Sequence, residues 1–116
     1  MRTPRYHVIF DLSHAKGVLT DQDGLKKFVV KLIEMIGMHI IAGPILAEGV
    51  PENPGLSCVA ILDYSHVSIH TFTKFDEVLI DVFSCKPFNK DIVRETCLSY
   101  FQTSDAHLRE RDVWWG

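Results

Sequence analysis

Hydrophobic residues recur along this chain with the spacing of a helix in two places. In the first, apolar side chains fall at i, i+3, i+4, i+7, i+8 and i+11 and form one continuous stripe: Leu25, Phe28, Val29, Leu32, Ile33 and Ile36. Asp21 or Asp23 can cap this helix, which we expect to run to about Met35 and to end at Gly37. The second helix begins at residue 89 and carries an apolar side of its own: Ile92, Val93, Thr96, Cys97, Tyr100 and Phe101.

Shorter apolar runs before, between and after these helices have the length and composition of strands. They cover residues 6–12, 38–46, 56–63, 66–72, 77–85 and, with partial alternation, 108–115. Turn-forming residues predict a loop over residues 47–55 and a hairpin connection over residues 73–76, and Pro44 predicts a bend or an edge position. Because short connections favour antiparallel pairing, we predict an α+β two-layer sandwich, an antiparallel sheet with two helices packed on one face.

The strand at residues 66–72 shows what the other face of this sheet carries. With a period of two, Val67 and Ile69 point towards the helices, and the opposite face receives His66, Ser68, His70 and Phe72. This polar and aromatic surface could hold a site or a subunit interface. Ser65 precedes His70 by five positions, so a regular strand would place them on opposite faces. They can cooperate only if Ser65 lies in the preceding turn or at a bulge.

Composition narrows the class of protein. The 116 residues suit one domain, residues 1–116, and the net charge of −3 is spread so that no basic face for nucleic acid forms. No apolar run approaches the roughly 20 residues of a membrane span. The first residues lack the apolar segment of a signal peptide, so we expect a cytoplasmic protein. Three cysteines without paired spacing predict free thiols and neither a disulfide framework nor a metal site.

Three stretches of the chain resemble the bacterial and archaeal S-adenosylmethionine decarboxylases. They read LSCVAILDYSHVSIHTFTK at residues 56–74, IDVFSCK at residues 80–86 and HVIFDL at residues 7–12. The resemblance covers nearly the whole chain. It implies a proenzyme that cleaves itself between Tyr64 and Ser65, so that Ser65 becomes a pyruvoyl group. This group is the cofactor of the family, forms a Schiff base with a small-molecule amine substrate and requires no metal.

The resemblance also implies a role for three further residues. His70 matches the processing acid or base that assists elimination, Ser57 matches the serine that hydrogen-bonds the reacting carbonyl, and Cys85 matches the proton donor to the substrate. Each has an ordinary structural interpretation too: a histidine at a subunit surface, a serine at the start of a strand, and a small buried residue. Ser65 has an ordinary structural interpretation as well, as a turn serine that hydrogen-bonds a backbone group. Cys58 and Cys97 match no functional residue of the family, and we expect them to pack in the core.

Four positions depart from the family pattern. Tyr64 replaces a glutamate before the reactive serine, and Cys58 replaces a glycine. Pro51 lies near the position of an aromatic residue that stacks on adenine. Lys74 replaces an acidic residue that holds the ribose hydroxyls, and an ammonium only donates hydrogen bonds. Phe72 and Lys74 are the candidate substrate-binding residues, and Phe72 or Tyr64 could still reach a nucleoside.

Three hypotheses about function remain open at this point. The first is a decarboxylase of S-adenosylmethionine that serves polyamine (spermidine) biosynthesis. The second is the same chemistry on another amino acid, such as ornithine or arginine. The third is an unprocessed, non-catalytic homologue that binds a ligand or a partner subunit. The resemblance further implies a homodimer in which two copies pack sheet against sheet, with the sites near the interface.

Overall fold

Six strands form one antiparallel sheet, and two helices cover one of its faces. The computed structural model describes residues 2–114. Its elements are β1 Tyr6–Leu12, α1 Gln22–Met35, β2 Ile40–Val50, β3 Asn53–Leu62, β4 Ser65–Phe72, β5 Glu77–Ser84, α2 Lys90–Tyr100, a short 3-10 turn Asp105–His107 and β6 Leu108–Asp112. The strand order is β2-β3-β4-β5-β1-β6. The predicted α+β two-layer sandwich is confirmed.

Both helices begin at a side chain that caps them. Asp21 accepts a hydrogen bond from the Gly24 N–H, so Asp21 and not Asp23 is the cap of α1. Gly37 follows the last turn of α1 with a φ of +75°, a conformation that glycine adopts without strain. Asn89 caps α2 by accepting from two backbone N–H groups of the first turn. Neither helix, within the part of the chain that is described, is long and apolar enough to cross a membrane.

The predicted loop over residues 47–55 is wrong. β2 continues to Val50 and β3 begins at Asn53, so only two residues turn the chain between them. The glycines there serve close packing. Gly55 has a φ of +152°, and a Cβ added to it would lie 1.8 Å from the carbonyl oxygen of Thr71. Pro44 lies on β2, which is at the edge of the sheet and has register shifts. The predicted edge position of Pro44 is therefore confirmed.

Other element bounds differ from the prediction by only a few residues. β4 begins one residue earlier than expected, so Ser65 is a strand residue. β6 is shorter than the predicted residues 108–115: it ends at Asp112, and residue 115 lies outside the described residues. These differences arise because hydrogen-bond partners on neighbouring strands decide where a strand ends, and the apolar pattern alone does not contain them.

The core lies between the helices and the face of the sheet that they cover. Val67 and Ile69 are fully buried there, and His66, Ser68 and His70 lie half-buried on the other face, as alternation predicts. Cys58 and Cys97 are fully buried too, which confirms their predicted place in the core. Removing this much apolar surface from water is the main favourable contribution to folding.

One polar side chain joins three segments inside this core. The Thr71 hydroxyl accepts a hydrogen bond from the Leu56 N–H and donates one to the Leu19 carbonyl oxygen, both at 2.9 Å. Thr71 is only 3% exposed, so water cannot replace these bonds. Thr71 therefore links β4 to β3 and to the segment that precedes α1.

We expect Thr71→Val to destabilise the protein strongly although valine has nearly the same shape. The change leaves two buried backbone groups without a partner, at a cost of about 1–3 kcal/mol for each group. Urea unfolding measures the effect as a lower midpoint at an unchanged slope. Thr20→Val, on an exposed threonine of the same segment, is the control and should change stability by less than about 0.5 kcal/mol. Equal midpoints for the two variants would contradict the role of Thr71.

Candidate active site

The Tyr64–Ser65 bond lies at the corner where β3 turns into β4. Asp63 and Tyr64 form a two-residue turn, and Leu62 pairs with Ser65 across it. Ser65 has a φ of +143°, far from the values near +55° of the other described non-glycine residues with positive φ. L-amino acids rarely adopt such a conformation, which costs on the order of 1–3 kcal/mol. The corner therefore holds a strained bond at the predicted cleavage position.

The end of β5 brings Cys85 to this corner. Ser65 pairs with Ser84, the last residue of β5. The backbone N–H of Cys85 donates a hydrogen bond of 2.9 Å to the carbonyl oxygen of Tyr64. An N–H aimed at a carbonyl oxygen stabilises the negative charge that develops there when a nucleophile adds to the carbon. We call Tyr64, Ser65 and Cys85 the cleavage corner.

Two other predicted residues contact each other on the open face of the sheet. Ser57 on β3 lies directly opposite His70 on β4. The Ser57 Oγ and the His70 Nδ1 are 2.7 Å apart and form a hydrogen bond, in which the tautomer of the histidine decides which group donates. Both residues are half-buried. The pair can therefore pass a proton between a hydroxyl and an imidazole.

A single chain does not bring these two groups together. Ser65 and His70 lie on the same strand, five residues apart, which corresponds to about 16 Å. Ser65 is the first paired residue of β4, so the turn or bulge position that cooperation within one chain requires is not observed, and its unusual φ does not shorten this distance. The candidate site is thus divided into the cleavage corner and the Ser57–His70 pair.

The predicted substrate-binding residues, Phe72 and Lys74, lie at the same end of β4 as the Ser57–His70 pair. Phe72 is half-buried on the open face. Lys74 is exposed, and its Nζ donates to the carbonyl oxygen of Glu52 in the turn between β2 and β3. Pro51 lies in the same turn. The positions that depart from the nucleoside-binding pattern of the family thus adjoin one another, and they lie far from Ser65 within one chain.

A cluster in the middle of the open face was not predicted from the sequence. The Asp81 Oδ1 lies 2.7 Å from the His7 Nε2 and 3.6 Å from the His66 Nε2. The Phe83 ring contacts both imidazoles. The signal was present, since His7 and Asp81 belong to the HVIFDL and IDVFSC stretches, but only the pairing of β1 with β5 joins them. Within residues 2–114, no three His, Cys, Asp or Glu residues are arranged to hold one metal ion.

Comparison with known proteins identifies the family. A family model described as S-adenosylmethionine decarboxylase matches residues 6–112. The chain belongs to this family. The fold agrees, because the crystal structure of the adenosylmethionine decarboxylase from Aquifex aeolicus superimposes with a TM-score of 0.81. That match covers 97% of this chain and 91% of the other at 16% sequence identity.

Two curated relatives are more similar in sequence. The arginine decarboxylase proenzyme of Caldivirga maquilingensis is 32% identical over 68 residues, which are 59% of this chain and 51% of the relative. The S-adenosylmethionine decarboxylase proenzyme of Methanococcus vannielii is 32% identical over 80 residues, 68% of this chain and 63% of the relative. The matched stretches thus span between half and two thirds of these relatives. Both relatives are proenzymes, and their names give different substrates.

The three thiols should differ sharply in reactivity. Cys85 is half-buried at the cleavage corner, whereas Cys58 and Cys97 are fully buried. Burial raises the pKa of both core thiols, that of Cys97 to about 12, which leaves little of the reactive thiolate. We expect a thiol reagent at pH 8 to label Cys85 at least about 100-fold faster than the other two, and denaturant to abolish the difference. Cys85→Ser should remove the fast phase, and fast labelling of Cys58 or Cys97 would contradict the described core.

Proposed function

We propose that this chain is a proenzyme that cleaves itself between Tyr64 and Ser65 and then acts as a pyruvoyl-dependent decarboxylase of an amino acid. The proposed substrate is S-adenosylmethionine, which would give the protein a place in polyamine (spermidine) biosynthesis. The observation that carries the proposal is the cleavage corner: a strained serine follows a carbonyl whose oxygen accepts a hydrogen bond from Cys85. The residues at this position suit the formation of a pyruvoyl group.

The cleavage chemistry balances with the groups at this corner. The Ser65 Oγ adds to the carbonyl carbon of Tyr64, and the C–N bond breaks as the nitrogen takes up the hydroxyl proton, so an ester replaces the amide. Removal of the Ser65 α-proton then expels the Tyr64 carboxylate and cuts the chain. Water replaces the nitrogen, which leaves as ammonia. The Cys85 N–H stabilises the first step, because charge develops on the oxygen that it contacts.

A cut at this corner leaves the fold intact. From His66 onwards β4 stays paired with β3 and β5, because the broken bond precedes these residues and only Ser65 loses its backbone N–H. The two fragments therefore remain in one core. The new ketone would take up the electron pair released when carbon dioxide leaves a bound amine substrate. Half-buried Cys85 follows Ser84, which pairs with Ser65, and it is the proposed donor of the proton that returns to the substrate carbon.

The division of the site favours a homodimer. Two copies can pack with their open sheet faces together around a two-fold axis that lies between the sheets and crosses β4 near Ser68. This axis reverses the partner's β4, so that the partner's His70 lies over Ser65 and the partner's Ser57 accompanies it. Each dimer then has two complete sites, as expected for an isologous interface.

The open face has the character that such an interface needs. It carries exposed isoleucines, with Ile45 62% and Ile61 50% exposed, next to half-buried polar groups of β4. Large apolar side chains at neighbouring positions of a surface favour association, because contact with a partner removes them from water. The exposed isoleucines and the half-buried polar groups of β4 together support the packing of two sheets face to face.

Co-expression of two inactive variants tests both the cleavage and the dimer. Denaturing intact mass should show the wild-type chain as two fragments, residues 1–64 and 65–116. Ser65→Ala and His70→Ala should each remain uncut when expressed alone. In mixed dimers the His70→Ala chain keeps its Ser65 and receives His70 from the partner. After random pairing, roughly half of the His70→Ala chains are in mixed dimers. We therefore expect roughly half of the His70→Ala chains to be cleaved.

The possible results have separate meanings. Restored cleavage of the His70→Ala chain supports the exchange of residues between subunits. If the wild-type chain is cut but the mixed dimers are not, His70 acts within its own chain and the dimer geometry is wrong. A single full-length peak for the wild type would overturn the proposed function and leave a non-catalytic homologue.

Arginine or ornithine is a second candidate substrate, and Lys74 is the observation that favours it. Its ammonium donates to a backbone carbonyl and cannot accept hydrogen bonds from ribose hydroxyls. Similarity to both an arginine decarboxylase proenzyme and an S-adenosylmethionine decarboxylase proenzyme is compatible with either substrate. The proposed dimer would place Lys74 near the partner's Ser65, where substrate must bind.

Release of carbon dioxide from labelled substrates separates the two candidates. We expect the processed protein to decarboxylate S-adenosylmethionine, and Lys74→Glu to raise kcat/KM for it about tenfold, since a hydrogen bond to a charged acceptor contributes about 1.5 kcal/mol or more. Lys16→Glu makes the same change of charge on an exposed residue elsewhere and is the control. Activity with arginine or ornithine alone would establish the second candidate and contradict the first.

A further inference from the structure

Lys86 holds the cleavage corner from the side of β5. Its side chain is half-buried, and its Nζ lies 4.5 Å from the centre of the Tyr64 ring. The same Nζ donates a hydrogen bond of 2.8 Å to the carbonyl oxygen of Gly37, at the end of α1. An ammonium over an aromatic ring is attracted to its negative face. Lys86 therefore connects Tyr64 to the helix layer through two contacts.

The other residue of the turn, Asp63, is held by His39. The Asp63 carboxylate accepts hydrogen bonds from the His39 backbone N–H, at 3.0 Å, and contacts the His39 Nδ1 at 3.2 Å. The Asp63 N–H donates to the His39 carbonyl oxygen. The hydrogen bond from the His39 N–H lowers the pKa of Asp63, and the nearby Lys86 charge contributes to the same direction. Both turn residues are thus tied to the segment that follows α1.

The backbone around Lys86 is itself ordered by a side chain. The Ser84 hydroxyl accepts from the Lys86 N–H and donates to the Lys86 carbonyl oxygen, at 3.0 and 2.8 Å. Ser84 is fully buried. Cys85 lies between these two residues, so its N–H is held where it meets the Tyr64 carbonyl oxygen. The lysine that contacts the Tyr64 ring and the amide that contacts the Tyr64 carbonyl are therefore neighbours on one rigid segment.

We propose that Lys86 is a positioning residue for self-cleavage: held between the Tyr64 ring and the Gly37 carbonyl, it keeps the Tyr64 carbonyl aligned on the Cys85 N–H while Ser65 adds to it. This inference rests on the proposed function. It explains how a tyrosine serves at position 64, where the resemblance implies glutamate. The Tyr64 ring is a second partner of the Lys86 ammonium, beside the Gly37 carbonyl. The contact between ring and ammonium would align the Tyr64 carbonyl in place of a glutamate side chain.

The arrangement also has a consequence after cleavage. The carbonyl of Tyr64 becomes a carboxylate, and the residue that carries it already contacts the Lys86 ammonium. The attraction between an ammonium that contacts the Tyr64 side chain and a carboxylate on the same residue would help to keep the end of the first fragment at the corner.

The rate of cleavage tests this role directly. Purified full-length chain is followed by denaturing intact mass as it converts to the two fragments. We expect Lys86→Met, which keeps the length of the side chain and removes its charge, to slow cleavage about tenfold or more. Lys86→Arg and Tyr64→Phe keep the contact and should cleave within about twofold of the wild type. Lys86→Met combined with Tyr64→Leu should be no slower than Lys86→Met, because both remove the same contact.

A second measurement does not depend on cleavage at all. In the Ser65→Ala chain, which cannot be cut, hydrogen exchange of the Cys85 amide reports its bond to the Tyr64 carbonyl. Lys86→Met should speed this exchange about tenfold, and Lys86→Arg should restore it. Lys90→Met is the matched control. It removes another half-buried lysine, paired with Asp112 far from the turn, and should change neither rate.

The outcomes separate this inference from the proposed function. A wild-type chain that is never cut overturns the proposed function, and the exchange measurement still decides whether Lys86 aligns the corner. A wild-type chain that is cut at the same rate as Lys86→Met overturns the role of Lys86 alone. Slow cleavage in Lys86→Met that arginine does not rescue would show only a loss of packing, and it would overturn the positioning role too.

Discussion

The register of β4 between β3 and β5 is the constraint on which the rest of the molecule depends. It sets Ser57 opposite His70 and Ser65 opposite Ser84. A shift of one residue would turn Val67 and Ile69 out of the core and carry His66 and His70 into it. Because two buried side chains oppose any such shift, the same packing that stabilises the sheet also holds the cleavage corner and the polar pair in place.

This register divides the chemistry between the two ends of one strand. Ser65 and His70 lie too far apart to react within a chain, and yet each lies beside the residues that would act with it in the proposed cleavage. The polar centre of the open face, with Asp81 between His7 and His66, is half-buried without a covering layer. A second copy placed on this face would complete the sites and cover its exposed isoleucines, so one interface would meet both needs.

The departures from the family pattern fall into two groups with different physical effects. Tyr64 lies at the cleavage corner, where in the proposed cleavage the backbone carbonyl reacts and the side chain only has to be held in position. Lys74 and Pro51 lie at the other end of β4 and its neighbouring turn, where a substrate would be recognised. A change of the first kind leaves the bond-breaking groups in place. A change of the second kind alters which molecule binds.

The periodicity of the chain determined the two helices, all six strands and the side of β4 that faces the core, because burial of one face imposes a period on each element. The resemblance to the family was also visible in the sequence, at residues 7–12, 56–74 and 80–86. Only the tertiary structure decided that residues 47–50 and 53–55 pair in strands, since the glycines there allow close approach of backbones that the local sequence cannot reveal. It alone joined His7 to Asp81 and Lys86 to Tyr64. Those relations depend on strand pairing between distant segments, and no local pattern contains it.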